Sequence, residues 1–289
     1  MLQRNCPDYK QIKLYALPIA DSNGILAMSF DEACLNWVRA QCEPMFLYRV
    51  YTWQEPTLSI GVNQSRQSVF RFMTGNKKAD PSASSLLSCH INNTSNISPR
   101  RIISRPTGGQ AVLHGNDISI AVITNCSALV NTSVKETYCL LSSFIVDAIN
   151  AAIGSAELQV QSVIESKKNQ KNLNALNNAF RCFDTQAIAD IVDQAGNKQM
   201  GCSQLRRKGG ILYHGALFLN FYQNHPKGLS LSTKKLNAAM RNLLSKQFNR
   251  AVNILPQPRI NEIREVQADL LPKYCVKSRV FQNILLNNC

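Results

Sequence analysis

Residues 101–124, RIISRPTGGQAVLHGNDISIAVIT, constrain the fold more than any other stretch. Two runs rich in β-branched residues flank a Gly-Gly pair, and a third follows a Gly-Asn-Asp loop. Such runs read as strands, and paired glycines let the backbone between them turn through positive φ. The segment that follows, SVKETYCLLSSFIVDAINAAIG (133–154), carries apolar residues at helical spacing, with Ser133 and Glu136 as a capping box. A multi-strand sheet with a helix laid on it is therefore encoded in about fifty residues.

The rest of the chain repeats the mixture. Residues 11–20, 45–53 and 56–63 read as strands, and 181–221 as strands joined by tight turns. Residues 25–41 and 234–249 read as helices. In the first of these Ile25, Met28, Ala33, Leu35 and Val38 form the apolar stripe, and Asp31 and Glu32 fall on the polar side. Residues 73–99 and 165–178 lack a period and read as surface loops. The expectation is an α+β fold, a mixed or antiparallel sheet with flanking helices. Residues 1–225 are expected to form the catalytic domain, with a surface insertion at about 73–99. Residues 226–289 are expected as a basic, partly helical C-terminal extension.

Composition narrows the class. Of 289 residues, 45% are hydrophobic, too many for a disordered chain. No run approaches the 18 or so uninterrupted apolar residues that signal a membrane-spanning helix. The N-terminal residues lack the apolar run of a secretory signal, so the expected compartment is the cytoplasm. The ten cysteines are scattered without a C-x-x-C pair, which argues against a disulfide framework or a zinc site, and no metal is expected. The net charge of +14 is concentrated. Residues 66–101 hold six basic residues against Asp80, and residues 226–289 hold eleven against Glu262, Glu265 and Asp269. Basic surfaces recruit anionic partners. No nucleic-acid-binding motif accompanies them, so nucleic acid is not expected, and the charge alone leaves a membrane surface, an acidic protein or a role in solubility open.

Three places carry chemistry. In the Gly-Gly turn, Arg105 supplies a fixed cation beside backbone N–H groups, a pattern suited to an anion and equally found in ordinary hairpins. His114 follows at a distance that places it at a strand end. Lys198 follows a Gly-Asn turn, where it either points into a cleft or sits in solvent. Cys182, beside Arg181, is a candidate thiolate nucleophile, because a neighbouring cation favours the thiolate.

Five blocks, MSFDEACL (28–35), YTWQEPTLSIGVNQ (51–64), SRPTGGQAVLHGNDISIAV (104–122), CFD (182–184) and NKQMGCSQLRRKGGILYHGALFLN (197–220), in this order resemble the lipoate–protein ligase A and octanoyltransferase superfamily, and within it the LipM-type octanoyltransferases. The likeness covers about residues 12–222. It implies a catalytic domain of the biotin/lipoyl-protein-ligase type with an acyl pocket. It places Lys198 on the essential lysine of the family and Cys182 on the acyl-accepting cysteine. Arg105, Thr107, Gly108, Gly109, His114, Gly201 and His214 fall on substrate-binding positions. The chain departs from the pattern at Ser104, where a second arginine is frequent, at Gln110 and at Cys202. Losing one arginine weakens the case for binding an adenylate phosphate.

The resemblance implies transfer of octanoyl from acyl carrier protein, through a Cys182 thioester, to a lysine of a lipoyl domain or of the glycine cleavage H protein. Lys198 would hydrogen-bond the thioester carbonyl and act as base, with no cofactor. The alternative is an ATP-dependent lipoate–protein ligase working through lipoyl-AMP, for which ATP and Mg would be needed. A catalytically silent binding module would have no chemical need for both Cys182 and Lys198.

Overall fold

The computed structural model describes residues 11–64, 101–160, 189–219 and 230–286. The expected insertion at 73–99, the polar stretch 165–178, Arg181 and Cys182 lie outside them. Along the chain the elements are β1 (Lys13–Ala16), β2 (Ala20–Ser22), α1 (Gly24–Arg39), β3 (Met45–Trp53), β4 (Thr57–Ile60), β5 (Arg101–Ser104), β6 (Val112–His114), β7 (Asp117–Thr124), the single turn α2 (Ser127–Val130), α3 (Val134–Ile153), β8 (Leu158–Val160), β9 (Ile191–Asp193), β10 (Lys198–Arg207), β11 (Gly210–Phe218), α4 (Thr233–Phe248), β12 (Asn253–Ile254) and α5 (Gln257–Leu286).

Nine strands form one mixed sheet in the order β12-β1-β3-β7-β11-β10-β9-β8, with β2 paired to β3. β1 runs parallel to β3 and β12, whereas β3, β7, β11 and β10 alternate in direction. A second sheet, β5-β4-β6, carries the Gly-Gly turn between its outer strands. The main sheet is covered on both faces, and strand alternation assigns its side chains. On β3, Phe46, Tyr48 and Val50 enter one core with α3 and α4. Leu47, Tyr51 and Trp53 enter the other, with α1 and α5. Burying Leu141, Phe144, Ile145 and Ile149 of α3 contributes on the order of 1.5–3 kcal/mol per side chain.

The α3 helix starts as expected. Ser133 Oγ accepts the Glu136 N–H at 3.1 Å, and Gly154 ends the helix at φ 71°. By length and composition α3 would also pass for a membrane span. Its apolar face instead lies in the first core.

Two expectations need correction. Residue 225 is not a structural divide: β12 extends the main sheet, α4 packs on α3, and Leu255, Ile260, Ile263 and Tyr274 belong to the second core. Exposed Lys234, Lys235, Arg259 and Arg264 carry the basic character on the outer faces of these elements. Asp31 and Glu32 are not on a solvated side either; both are buried. Because α1 lies between the sheet and α5, its polar stripe is covered too. Asp31 faces the sheet and pairs with Arg49 at 2.9 Å. Glu32 receives the Tyr274 hydroxyl at 2.6 Å, Lys273 at 3.2 Å, and Arg207.

Candidate active site

A cavity opens where the two sheets meet above α1. Its apolar walls come from Met28, Tyr51, Trp53, Val112 and Ala216. Arg105, Gly109, His114, Gly201, Ser203 and His214 add polar groups and bare backbone. Of the site residues expected from sequence, Arg105, Gly109, His114, Gly201 and His214 thus line one cavity. Thr107 is buried and bonded directly to His214, and Gly108 sits in the same turn.

The turn is built around Gly61 and Gly109. Gly109 has φ 85°, and a Cβ on Gly61 would fall 2.0 Å from the Gly109 carbonyl oxygen, so no larger residue fits at 61 without moving the turn. Arg105 then ties it down. Its guanidinium donates to the carbonyls of Gly108 (2.8 and 3.1 Å), Gln110 (2.6 Å) and Ser59 (3.1 Å), and to Ser59 Oγ (3.3 Å). The cation expected to hold an anion therefore spends its donors on the chain itself. It shapes the turn and contributes positive potential to the wall.

Two histidine networks flank this turn. His114 Nδ1 donates to Asp117 at 2.9 Å, because a carboxylate can only accept, and His114 Nε2 meets Ser59 Oγ at 2.9 Å. Trp53 stacks on the His114 ring at 3.8 Å, and its indole N–H donates to Ser119, which donates to Asp117. In the second network His214 Nδ1 lies 3.3 Å from Asp31 and Nε2 lies 2.7 Å from Thr107 Oγ1. Thr107 in turn meets Ser203 Oγ at 2.8 Å. Burial lowers the His214 pKa, with Arg105 and His114 pushing the same way and Asp31 opposing them. Asp31 is itself held by Arg49 and by the Tyr51 hydroxyl at 3.1 Å.

Lys198 opens β10, after a turn in which Gly196 takes φ 85°. Its side chain is buried, not solvated, and its ammonium pairs with buried Asp190 at 2.7 Å. It lies three residues before Gly201 on the strand that forms the cavity wall. Among the described residues, no three His, Cys, Asp or Glu side chains converge as a metal-binding set.

Residues 90–271 match the lipoyl protein ligase A/B catalytic domain. The chain belongs to that family. Octanoyltransferase LipM of Halalkalibacterium halodurans is 31% identical over 196 residues, covering 67% of this chain and 61% of the relative. LipM of Bacillus subtilis is 27% identical over 238 residues, covering 81% and 75%. The chain thus spans 61% of the length of the first of these curated relatives. Among solved structures, the lipoate protein ligase from the archaeal lipoylation system of Thermoplasma acidophilum superposes with a TM-score of 0.56 at 15% identity, over 91% of this chain and 93% of that one. A lipoate–protein ligase A bound with ATP gives 0.56 at 14%, over 90% and 95%. These likenesses confirm the expected fold of a lipoyl protein ligase domain.

For this lipoyl protein ligase family member the site also contains residues that motif reading did not single out. Asp31, Ser59, Asp117, Asp190 and Ser203 all bond to expected site residues, and Arg49 holds Asp31 in place. Asp31 lay inside a motif block, but helical periodicity assigned it to solvent. Ser203 lay between Cys202 and Gln204 with nothing local to distinguish it.

Proposed function

We propose that the chain is an octanoyltransferase of protein lipoylation. The observation that carries this reading is the 31% identity to LipM along most of the chain. The donor is octanoyl-acyl carrier protein. The Cys182 thiolate attacks the thioester carbonyl, the carrier thiol leaves, and an acyl-enzyme thioester remains. A lysine amine of a lipoyl domain, or of the glycine cleavage H protein, then attacks the acyl carbon and releases Cys182. Each step exchanges one already activated acyl bond, so neither ATP nor a metal is required.

The surroundings support the roles. Apolar walls suit a medium acyl chain, and Met28, an adaptable side chain, can shift to admit it. Lys198, as an ammonium paired with Asp190, suits donation to a thioester oxygen as charge develops there. In that pair it has no lone pair with which to act as the base expected from sequence. The engagement of Arg105 with the Gly108, Gln110 and Ser59 carbonyls leaves it ill suited to grip an adenylate phosphate. Exposed Lys234 and Lys235 suit docking of acidic carrier and lipoyl domains.

The test is incubation with octanoyl-acyl carrier protein without ATP, followed by intact mass. A hydroxylamine-sensitive octanoyl adduct is expected, lost in Cys182→Ala. Transfer that instead needs ATP, with Cys182→Ala fully active, would establish the ligase. No transfer under either condition would establish the silent module.

A further inference from the structure

The two histidine networks end differently. Ser59 also lines the cavity, but it is fully buried and its Oγ receives Arg105 and contacts His114. Ser203 is only half-buried on the cavity lining, and its hydroxyl meets Thr107 Oγ1 at 2.8 Å. Behind it lie Thr107, His214 and Asp31, each within 2.7–3.3 Å of the next.

The proton positions in this chain follow from valence. The Asp31 carboxylate accepts, so His214 Nδ1 carries the hydrogen between them. With the ring neutral, Nε2 is an acceptor and the Thr107 hydroxyl must donate to it. Thr107 Oγ1 then accepts from the Ser203 hydroxyl. The lone pairs of Ser203 Oγ are left as the acceptor that this network presents to the cavity. A protonated His214 would reverse both hydroxyls and make Ser203 a donor.

We propose that Ser203, Thr107, His214 and Asp31 form a proton relay serving the second half of the transfer, in which an amine takes the acyl group. This rests on the transferase reading above. As the amine nitrogen bonds to the acyl carbon, one N–H proton passes to Ser203 Oγ. The Ser203 proton passes to Thr107, and the Thr107 proton to His214 Nε2. The imidazolium so formed faces Asp31. The C–S bond breaks, the electron pair leaves on the thiolate, and the amide is complete. The imidazolium gives its proton back through the same hydroxyls and the thiolate takes one up from solvent, restoring thiol and neutral imidazole. A base must be unprotonated at working pH, and burial keeps His214 so. Asp31 attracts a proton on His214, while Arg105 and His114 resist it. The pairing of Lys198 with Asp190 leaves the base role to this relay.

The experiment separates the two half-reactions of the full-length protein. Acyl-enzyme formation from octanoyl-acyl carrier protein is timed by intact mass. Discharge of the isolated acyl-enzyme is then timed with a lipoyl domain as acceptor. The variants are Thr107→Val, Thr107→Ser, Ser203→Ala and His214→Gln, each checked for a native melting curve. The expected result is a fall of about 100-fold in the ratio of discharge to acylation for Thr107→Val, Ser203→Ala and His214→Gln. Thr107→Ser should restore most of it, and the acid limb of the discharge rate should flatten in His214→Gln. Equal losses in both half-reactions, or discharge unaffected by Ser203→Ala, would overturn the relay alone. If no acyl-enzyme forms in the wild type, the transferase reading falls and the relay with it. Should Thr107→Val fail to fold, Ser203→Ala decides, because Ser203 is only half-buried.

Discussion

Thr107 Oγ1 lies 2.7 Å from His214 Nε2, across 107 residues of sequence. This contact joins the Gly-Gly turn of the small sheet to β11 of the main sheet. It fixes the turn above the cavity and couples a hydroxyl at the wall to an imidazole whose other nitrogen faces Asp31. Burial drives the His214 pKa down, which gives a pH signature. The unfolded chain takes up a proton at the ordinary histidine value, whereas the folded chain resists it. Stability is therefore full above about pH 6.5 and falls as pH drops from there towards the lowered folded value. Denaturant melts across pH 5–8 should show this slope, and His214→Gln should remove it.

Glu32 gives a second, more acidic window. Desolvation raises its pKa, but hydrogen bonds from Tyr274 and Arg207, with the charges of Lys273 and Arg207, together bring it below the ordinary value. The stability it contributes is present above about pH 4.5 and is lost as pH falls below that. Glu32→Gln should cost about 2 kcal/mol at neutral pH, less than a fully buried pair because Arg207 and Lys273 are partly exposed. Hydrogen exchange should rise first in α5, whose middle Glu32 anchors. Uniform exchange across the chain would refute that anchoring.

Gly61→Ala places a methyl group against the Gly109 carbonyl, a backbone atom that cannot rotate away. The expected loss is about 1–3 kcal/mol. Octanoyl transfer should fall more than stability alone explains, because the turn carries Thr107. A variant with native stability and full activity would show that the turn tolerates the shift.

The cavity offers about 40 Å³, room for a few waters, so an eight-carbon chain needs its walls to move. Met28 is the flexible wall. Met28→Ala should raise the rate for dodecanoyl relative to octanoyl donors by about tenfold or more. An unchanged chain-length profile would place the acyl site elsewhere.

Lys234 and Lys235 are exposed in the first turn of α4. Replacing both with Glu should raise KM for octanoyl-acyl carrier protein with little change in kcat. The helix itself gains from acidic residues at its N-terminus, so lost docking would not reflect unfolding. KM for the carrier should also climb steeply with salt, since screening acts over about 8 Å at physiological ionic strength. A small octanoyl thioester should show almost none of this, and equal salt responses would return these lysines to a role in solubility.

The local elements and the motif-bearing turns were legible from the order of residues alone. Strand alternation, the Ser133 cap, and the Gly-Gly pair act through a few neighbouring residues and are legible without knowing what packs above them. The tertiary structure decided everything that depends on what covers a face. Asp31 and Glu32 read as solvent-facing because helical periodicity knows one buried stripe, whereas α1 is enclosed by the sheet and by α5. The C-terminal segment read as an appendage because its charge is local and its contacts are not. The resemblance marked Lys198 and Thr107, but only the fold shows that Lys198 pairs with Asp190 and that Thr107 bonds His214 and Ser203. Hydrogen-bond direction depends on partners brought together across the fold, so the order of donors from Ser203 to Asp31 exists only once both sheets are in place.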